Sequence, residues 1–222
     1  MNPIRLSETS HHSTLSISGA RKDIGDSAII FTHSASGRVP IKSWKTSCDE
    51  GVIKQNLDFS CGAASLATLL GGYYGQHVTE QALLIAMDKG TGRASFDDMA
   101  RGLSQFGFRA QGFAASWEQL VRLKMPVVVY VKHDRGDHFT VLRGINSETV
   151  WLADSSAGNR TYSREQFLAM WQTRINADGL SGKFLAILPA NPSITSSNAF
   201  FTKTPRRQSA NAKINLAFRV QP

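Results

Sequence analysis

Cysteine is scarce in this chain: Cys48 and Cys61 are the only two in 222 residues. Two thiols cannot staple a small domain, and they lack the paired spacing of a zinc site, so neither disulfides nor a metal is expected to hold the fold, and no cofactor motif is present. Long apolar runs are missing as well. A bilayer-spanning helix needs about 18 apolar residues in succession, and none of that length occurs, so no membrane span is expected. The longest apolar run near the N-terminus, Ala28-Ile29-Ile30-Phe31, is far below the roughly 7 to 15 residues of a secretory signal core, so no signal peptide is expected. Internal repeats are also absent.

Acidic residues are missing from Asn191 to Pro222, where Lys203, Arg206, Arg207, Lys213 and Arg219 lie. The formal net charge of +8 therefore belongs mostly to this tail, and the remainder, with 20 basic and 17 acidic residues, is close to neutral. A solvated basic tail is the expectation, and nucleic-acid binding is not.

What is present is enough apolar sequence, 41% of residues, for one compact domain with some chain to spare. Residues 1–37 are rich in Ser and Thr without a helical or alternating period, which predicts a flexible lead-in. Residues 38–189 are patterned as one domain. Residues 190–222 read as a basic, largely flexible tail, within which Ile214, Leu216, Phe218 and Val220 alternate as in a short edge strand.

Within the domain, Ala63, Leu66, Ala67 and Leu70 follow helical spacing from Cys61, and Gly71-Gly72 is expected to stop that helix. Ser95 with Asp98, Ser116 with Gln119, and Ser163 with Gln166 have the spacing of capping boxes, and Thr79 is a further cap candidate. The period then changes. Pro126–Val131, Phe139–Leu142, Val150–Leu152 and Phe184–Leu188 are β-rich runs separated by turn residues. Helices first and an antiparallel meander second make an α+β fold rather than a parallel sheet. Trp44, Trp117, Trp151 and Trp171 are read as core or groove residues.

Cys61 opens the first helix, where unpaired backbone N–H groups and the helix dipole favour a thiolate over the ordinary thiol of pKa about 8.5. Gly62 beside it would let a substrate backbone approach. The Cys61 N–H and the Gln55 carboxamide are candidate oxyanion donors. The competing reading is a buried Cys61 acting as a small hydrophobe. A nucleophilic thiol needs a base, and His138 is the histidine inside a strand-like segment. Asp154 follows on the next strand. An odd-length loop centred near Asn146 would put 138 directly across from 154, about 5 Å away, while an even-length loop would offset them diagonally with contact still in reach. His11, His12, His33, His77 and His133 read as solvated, and Asp134 and Asp137, in a turn, are rival orienting carboxylates. No two histidines share ligand spacing, so no metal site is expected. Cys48 is read as an incidental thiol, with a disulfide to Cys61 as the competing possibility.

Gln55, Cys61-Gly62, Asp137-His138-Phe139, Leu152-Ala-Asp154 and the segment Arg160 to Trp171 together resemble the C39 family of papain-like cysteine peptidases. Phe59-Ser-Cys-Gly-Ala-Ala-Ser and Tyr74-Gly-Gln are most similar to the free-standing members that accompany the Fap functional-amyloid secretion system. The resemblance covers roughly residues 38–189. It implies a papain-like fold, a helical N-terminal half packed on an antiparallel sheet, with Cys61 as nucleophile, His138 as base, Asp154 as orienting acid and Gln55 as oxyanion-hole amide. It implies a thiol hydrolase that cuts a peptide bond after small residues of Gly-Gly type. The partner it implies is a polypeptide substrate, an amyloid subunit or another secretion-system component; the alternative is a non-cleaving module that binds such a substrate. Transporter-borne members usually carry Asp before the catalytic Cys and a second Cys four residues later. Here Ser60 and Ser65 stand in those places, which leaves the implied mechanism intact and the substrate preference open. The resemblance implies a periplasmic location, against which the expected absence of a signal sets a cytoplasmic alternative.

Overall fold

The structure is a computed structural model and describes residues 27–31, 33, 36–90, 92–133, 136–174 and 179–205. They divide into two units, one ending at Ser43 and the other starting at Trp44. In the first, β1 (Ser27–Phe31) pairs antiparallel with β2 (Ser36–Pro40), Ile29 opposite Arg38. The expected lead-in over residues 1–37 is thus a strand pair in its last part. The β-branched Ile29-Ile30 and Val39 supply the strand propensity that the short apolar run concealed.

The second unit opens with α1 (Trp44–Asp49), α2 (Cys61–Tyr74), α3 (Glu80–Met87) and α4 (Phe96–Ser104). After β3 (Phe108–Ala115) and α5 (Trp117–Val121) come β4 (Val127–His133), β5 (Gly136–Ile145), β6 (Thr149–Asp154), β7 (Gly158–Ser163), α6 (Arg164–Trp171) and β8 (Gly182–Pro189). The six strands from β3 onward form one sheet in the order β3-β8-β4-β5-β6-β7, every pair antiparallel. This is the expected α+β arrangement. All three capping boxes form, at α4, α5 and α6, and the Thr79 hydroxyl caps α3 by accepting from the Ala82 N–H. No helix among the described residues is long and apolar enough to cross a membrane.

Strand alternation builds a core on each side of the sheet. Leu66, Leu69 and Leu70 of α2, with Leu83, Met99 and Leu103, cluster with Val128, Phe139, Val141 and Leu185. Trp117, Leu120, Phe167 and Trp171 cluster with Val127, Val129, Leu142 and Leu152. Trp44 departs from the core expectation: it is 64% exposed, with the Arg160 guanidinium 5.2 Å from its ring.

Two boundaries differ from expectation. The helix α2 runs through Gly71-Gly72 to Tyr74 and ends at Gly75, whose φ of 66° needs glycine. A Cβ on Gly72 would lie 2.2 Å from Phe200 Cε2, so this glycine is a notch for a ring rather than a stop. That ring belongs to the segment expected to be flexible tail. Residues 190–205 instead lie along the domain: the Ser197 N–H donates to the Tyr73 carbonyl at 2.7 Å, and Phe200 is buried. Thr202 forms a parallel bridge with Gly144. The Arg143 guanidinium sits 4.4 Å from the Trp151 and the Phe200 ring centroids. Apolar Ile194 and Phe200, sparse in a Ser/Thr/Asn-rich stretch, suffice because Gly72 and Gly144 leave room for the segment. The alternating residues 214–220 lie outside the described residues.

Candidate active site

Cys61 is the first residue of α2 and is buried. Ser60, at the N-cap, does not cap: its hydroxyl donates to the Leu57 carbonyl at 2.8 Å and accepts from the Leu57 N–H. The N-cap side chain therefore leaves the first-turn N–H groups open to the Cys61 sulfur, the condition under which a helix start favours an anion. The helix is fastened to β5 by the buried Ser65 hydroxyl, which donates to the Phe139 carbonyl at 3.0 Å.

His138 stands on β5 opposite Val131 of β4. The β5–β6 loop is even in length: Ile145 pairs with Val150, and the Asn146 side chain accepts from the Glu148 and Thr149 N–H groups. A bulge between Leu142 and Gly144 then shifts the register by one, giving Leu142–Leu152 and Val141–Ala153. Continued by one residue, that register sets Thr140 level with Asp154, so His138 and Asp154 are diagonal rather than directly opposite. They still meet: His138 Nε2 is 2.9 Å from Asp154 Oδ2. The same ring neighbours the Cys61 thiol closely enough for each group to shift the other's pKa.

The electrostatics follow from these contacts. Burial pushes the Cys61 thiol up, but the His138 hydrogen bond, the backbone N–H groups of Phe139 and Gly62 and the His138 charge outweigh it and leave it below its ordinary value. Burial pulls His138 down, and Asp154 and Cys61 together overcome it, raising the imidazole to about 9. Burial raises Asp154, and the bonds from His138 and from the Ser156 and Ala157 N–H groups more than reverse it. These contacts shift both groups toward the thiolate and imidazolium forms.

Gln55 joins this group through the turn after β6. Its N–H donates to the Ser155 carbonyl at 3.2 Å, and its Oε1 accepts from the Ser155 and Ser156 hydroxyls at 2.8 Å each. A cleft of about 700 Å³ is lined by Gln55, Asp58, Arg93, His138, Asp154 and Tyr162. Beside it, a smaller apolar hollow of about 290 Å³ is lined by Cys61 with Phe59, Phe96, Tyr130 and Phe139. Arg93 borders both and donates to the Asp137 carbonyl.

Of the four predicted residues, Gln55, His138 and Asp154 line the cleft and Cys61 lines the adjoining hollow. Asp137, the described rival for the orienting role, engages the Tyr130 hydroxyl instead; Asp134 and the side chain of His133 lie outside the described residues, as do His11 and His12. His33 and His77 are exposed. Gly62 has a different role from the one expected: a Cβ there would lie 2.4 Å from Met99 Cε, so it admits the neighbouring helix rather than a substrate. Cys48 and Cys61 are free thiols, not a disulfide. Ser155, Ser156 and Glu80 carried no signal of a role. The buried Glu80 accepts from the Asn56 N–H at 3.1 Å and from the Asn56 side chain, holding the loop next to Gln55. Serines after an acid look like any turn, and a partner 24 residues away leaves no local spacing to read.

Comparisons with known proteins give the family and the fold. A probable functional amyloid protease, FapD, of Pseudomonas fluorescens is 37% identical over 127 residues, 54% of this chain and 56% of that protein. Its namesake from Pseudomonas aeruginosa is 35% identical over the same length. The chain thus spans about half the length of these relatives. The fold is that of the peptidase domain of Streptococcus ComA, a bi-functional ABC transporter involved in quorum sensing: the TM-score is 0.53 at 19% identity, over 62% of this chain and 97% of that one. A double glycine motif protease from an AMS/PCAT transporter, solved with its leader peptide, gives 0.51 at 24% identity, over 62% and 90%. The model of the Peptidase C39 family matches residues 49–176, more than half of the sequence, and the chain belongs to that family.

Proposed function

We propose that the chain is a cysteine endopeptidase that cuts a polypeptide after small residues of Gly-Gly type, in a secreted or functional-amyloid partner. The observation that carries the proposal is the run of contacts from the Cys61 thiol at an uncapped helix start through His138 to Asp154. Cys61 sulfur attacks the scissile carbonyl carbon, whose oxygen takes the negative charge. The Cys61 N–H and the Gln55 amide stabilise that oxyanion. As it collapses, the imidazolium of His138 protonates the departing amine, leaving an acyl thioester. Water, deprotonated by His138, then attacks the thioester and releases the acid product and the thiolate. Asp154 keeps the ring oriented and supports its charge throughout. The family membership, the name of the Pseudomonas relatives and the double-glycine specificity of one structural neighbour support the choice of substrate.

The test is cleavage of a Gly-Gly-containing peptide and of candidate amyloid subunits by wild type, Cys61→Ala and Gln55→Ala. Wild type cleaves, Cys61→Ala does not, and Gln55→Ala is slower by about 10²- to 10³-fold, the usual loss for one oxyanion donor. Equal cleavage by wild type and Cys61→Ala rules out thiol catalysis. Binding without cleavage by both would instead mark a substrate-holding module.

A further inference from the structure

One turn serves both halves of the proposed machinery. Asp154 presents Oδ2 to His138 at 2.9 Å and Oδ1 to the Ser156 and Ala157 N–H groups at 2.8 Å each. The next two residues face Gln55: the Ser155 and Ser156 hydroxyls both donate to its Oε1. Ser155 is 1% exposed, so its hydroxyl cannot exchange this partner for bulk water. A carboxamide has an acceptor end and a donor end. Two hydroxyl donors converging on one end fix the oxygen there and force the NH₂ to the other. One N–H of that NH₂ goes to the Leu57 carbonyl at 3.0 Å; the second is the one an oxyanion can use. The Gln55 backbone is tied to the same turn through the Ser155 carbonyl, and Glu80 holds Asn56 from the opposite side.

We propose that Ser155 and Ser156 are positioning residues for the oxyanion donor: their hydroxyls hold the Gln55 carboxamide in the orientation that presents an N–H to the carbonyl under attack. The turn that orients the base thereby also orients the oxyanion hole. This rests on Cys61 being an acyl-transfer nucleophile, and both serines act through Gln55 rather than on the substrate.

Two probes of Cys61 separate the two ideas. Iodoacetamide alkylates the Cys61 sulfur with displacement of iodide and develops no oxyanion. Acetyl-glycyl-glycinal is captured when the Cys61 sulfur adds to its aldehyde carbon and the carbonyl oxygen becomes an alkoxide that accepts from the Gln55 N–H while His138 keeps its proton, so capture needs the oxyanion donor. In Ser155→Ala/Ser156→Ala the inhibition constant for the aldehyde rises about 10- to 100-fold, the scale of a misplaced catalytic group, while alkylation stays within about twofold of wild type. Ser156→Ala alone, at an exposed position that does not threaten folding, gives a smaller rise of about threefold or more, and Ser156→Thr, which keeps the hydroxyl, gives none. In a Gln55→Ala background the serine changes add nothing, because the group they position is gone. Normal aldehyde capture by the serine variants overturns the proposal. So does a parallel loss of alkylation, or a serine effect that persists without Gln55. Wild-type Cys61 alkylated no faster than an ordinary thiol at neutral pH would instead overturn the nucleophile reading, and this proposal with it.

Discussion

At its N-terminal end α2 leaves its first turn uncapped by any side chain, with Cys61 there and Gly62 cut away for Met99. At its C-terminal end the Leu70 carbonyl accepts from the Gly75 and Gln76 N–H groups, the Tyr73 carbonyl accepts from Ser197, and Gly72 is cut away for Phe200. Both glycines serve packing, so glycine alone does not distinguish the ends. What differs is satisfaction of the backbone. The saturated end gives anchorage, and the unsaturated end leaves donors for a developing charge.

The sharpest way to break this comparison is to remove the sulfur. Cys61→Ala lowers turnover by at least about 10⁴-fold, as loss of a triad nucleophile does, with the melting temperature barely changed. A matching fall in melting temperature would mean that the uncapped end also carries stability. Next in size is Asp154→Asn, expected to lower kcat by about 10²- to 10⁴-fold because the ring loses both its orientation and the charge that supports its proton.

The pH profile sharpens the same point. Activity rises as Cys61 loses its proton, below its ordinary value, and declines as His138 loses its own near about 9. In stability the signs are opposite for the two buried partners. His138, raised from 6.5, contributes fully below 6.5, and its contribution fades as pH climbs through about 9. Asp154, lowered from 3.8, contributes above that value and loses its contribution as pH falls below it. In Asp154→Asn the alkaline limb of the activity profile moves to lower pH; an unmoved limb would mean that Asp154 does not support the imidazolium.

At the saturated end, Phe200→Ala empties the notch beside Gly72 and costs about 3 to 5 kcal/mol, the range for a buried ring. Thermal unfolding registers the loss, while kcat well below the melting temperature holds. A fall in kcat equal to that of Gln55→Ala would show that the two ends are not separable.

The candidate site was legible in the sequence because each member carries local information: a cysteine at a helix start, a histidine in a β-rich run, an acid in the next run. The three capping boxes and four of the strands were legible on the same grounds. What escaped depended on distant partners. Strand β3, Phe-Arg-Ala-Gln-Gly-Phe-Ala-Ala, has no β-branched residue and becomes a strand only by pairing along β8. Strand β7 is polar and takes its register from β6. The bulge that leaves His138 and Asp154 diagonal falls at Arg143, whose place between Trp151 and Phe200 involves a segment more than fifty residues on. Gly72 reads as a helix stop until Phe200 is known to fill it.

Ser65 tests the middle of the helix, where neither end dominates. Its hydroxyl is buried and donates to the Phe139 carbonyl, one residue from His138, joining the nucleophile's helix to the base's strand. Phe139 pairs in register with Tyr130 of β4, but its N–H faces Cys61, so its carbonyl, on the same side of the strand, takes the Ser65 hydroxyl rather than a β4 donor. Ser65→Ala therefore costs about 1 to 3 kcal/mol, the penalty for a buried acceptor left without its donor. Denaturant unfolding measures it. Cys61 alkylation changes little, since Met99, Phe139 and Val141 still pack against the helix. A much larger loss of alkylation than of stability would show that this one bond sets the distance between thiol and imidazole. The division would then lie within the first turns of α2 rather than between its ends.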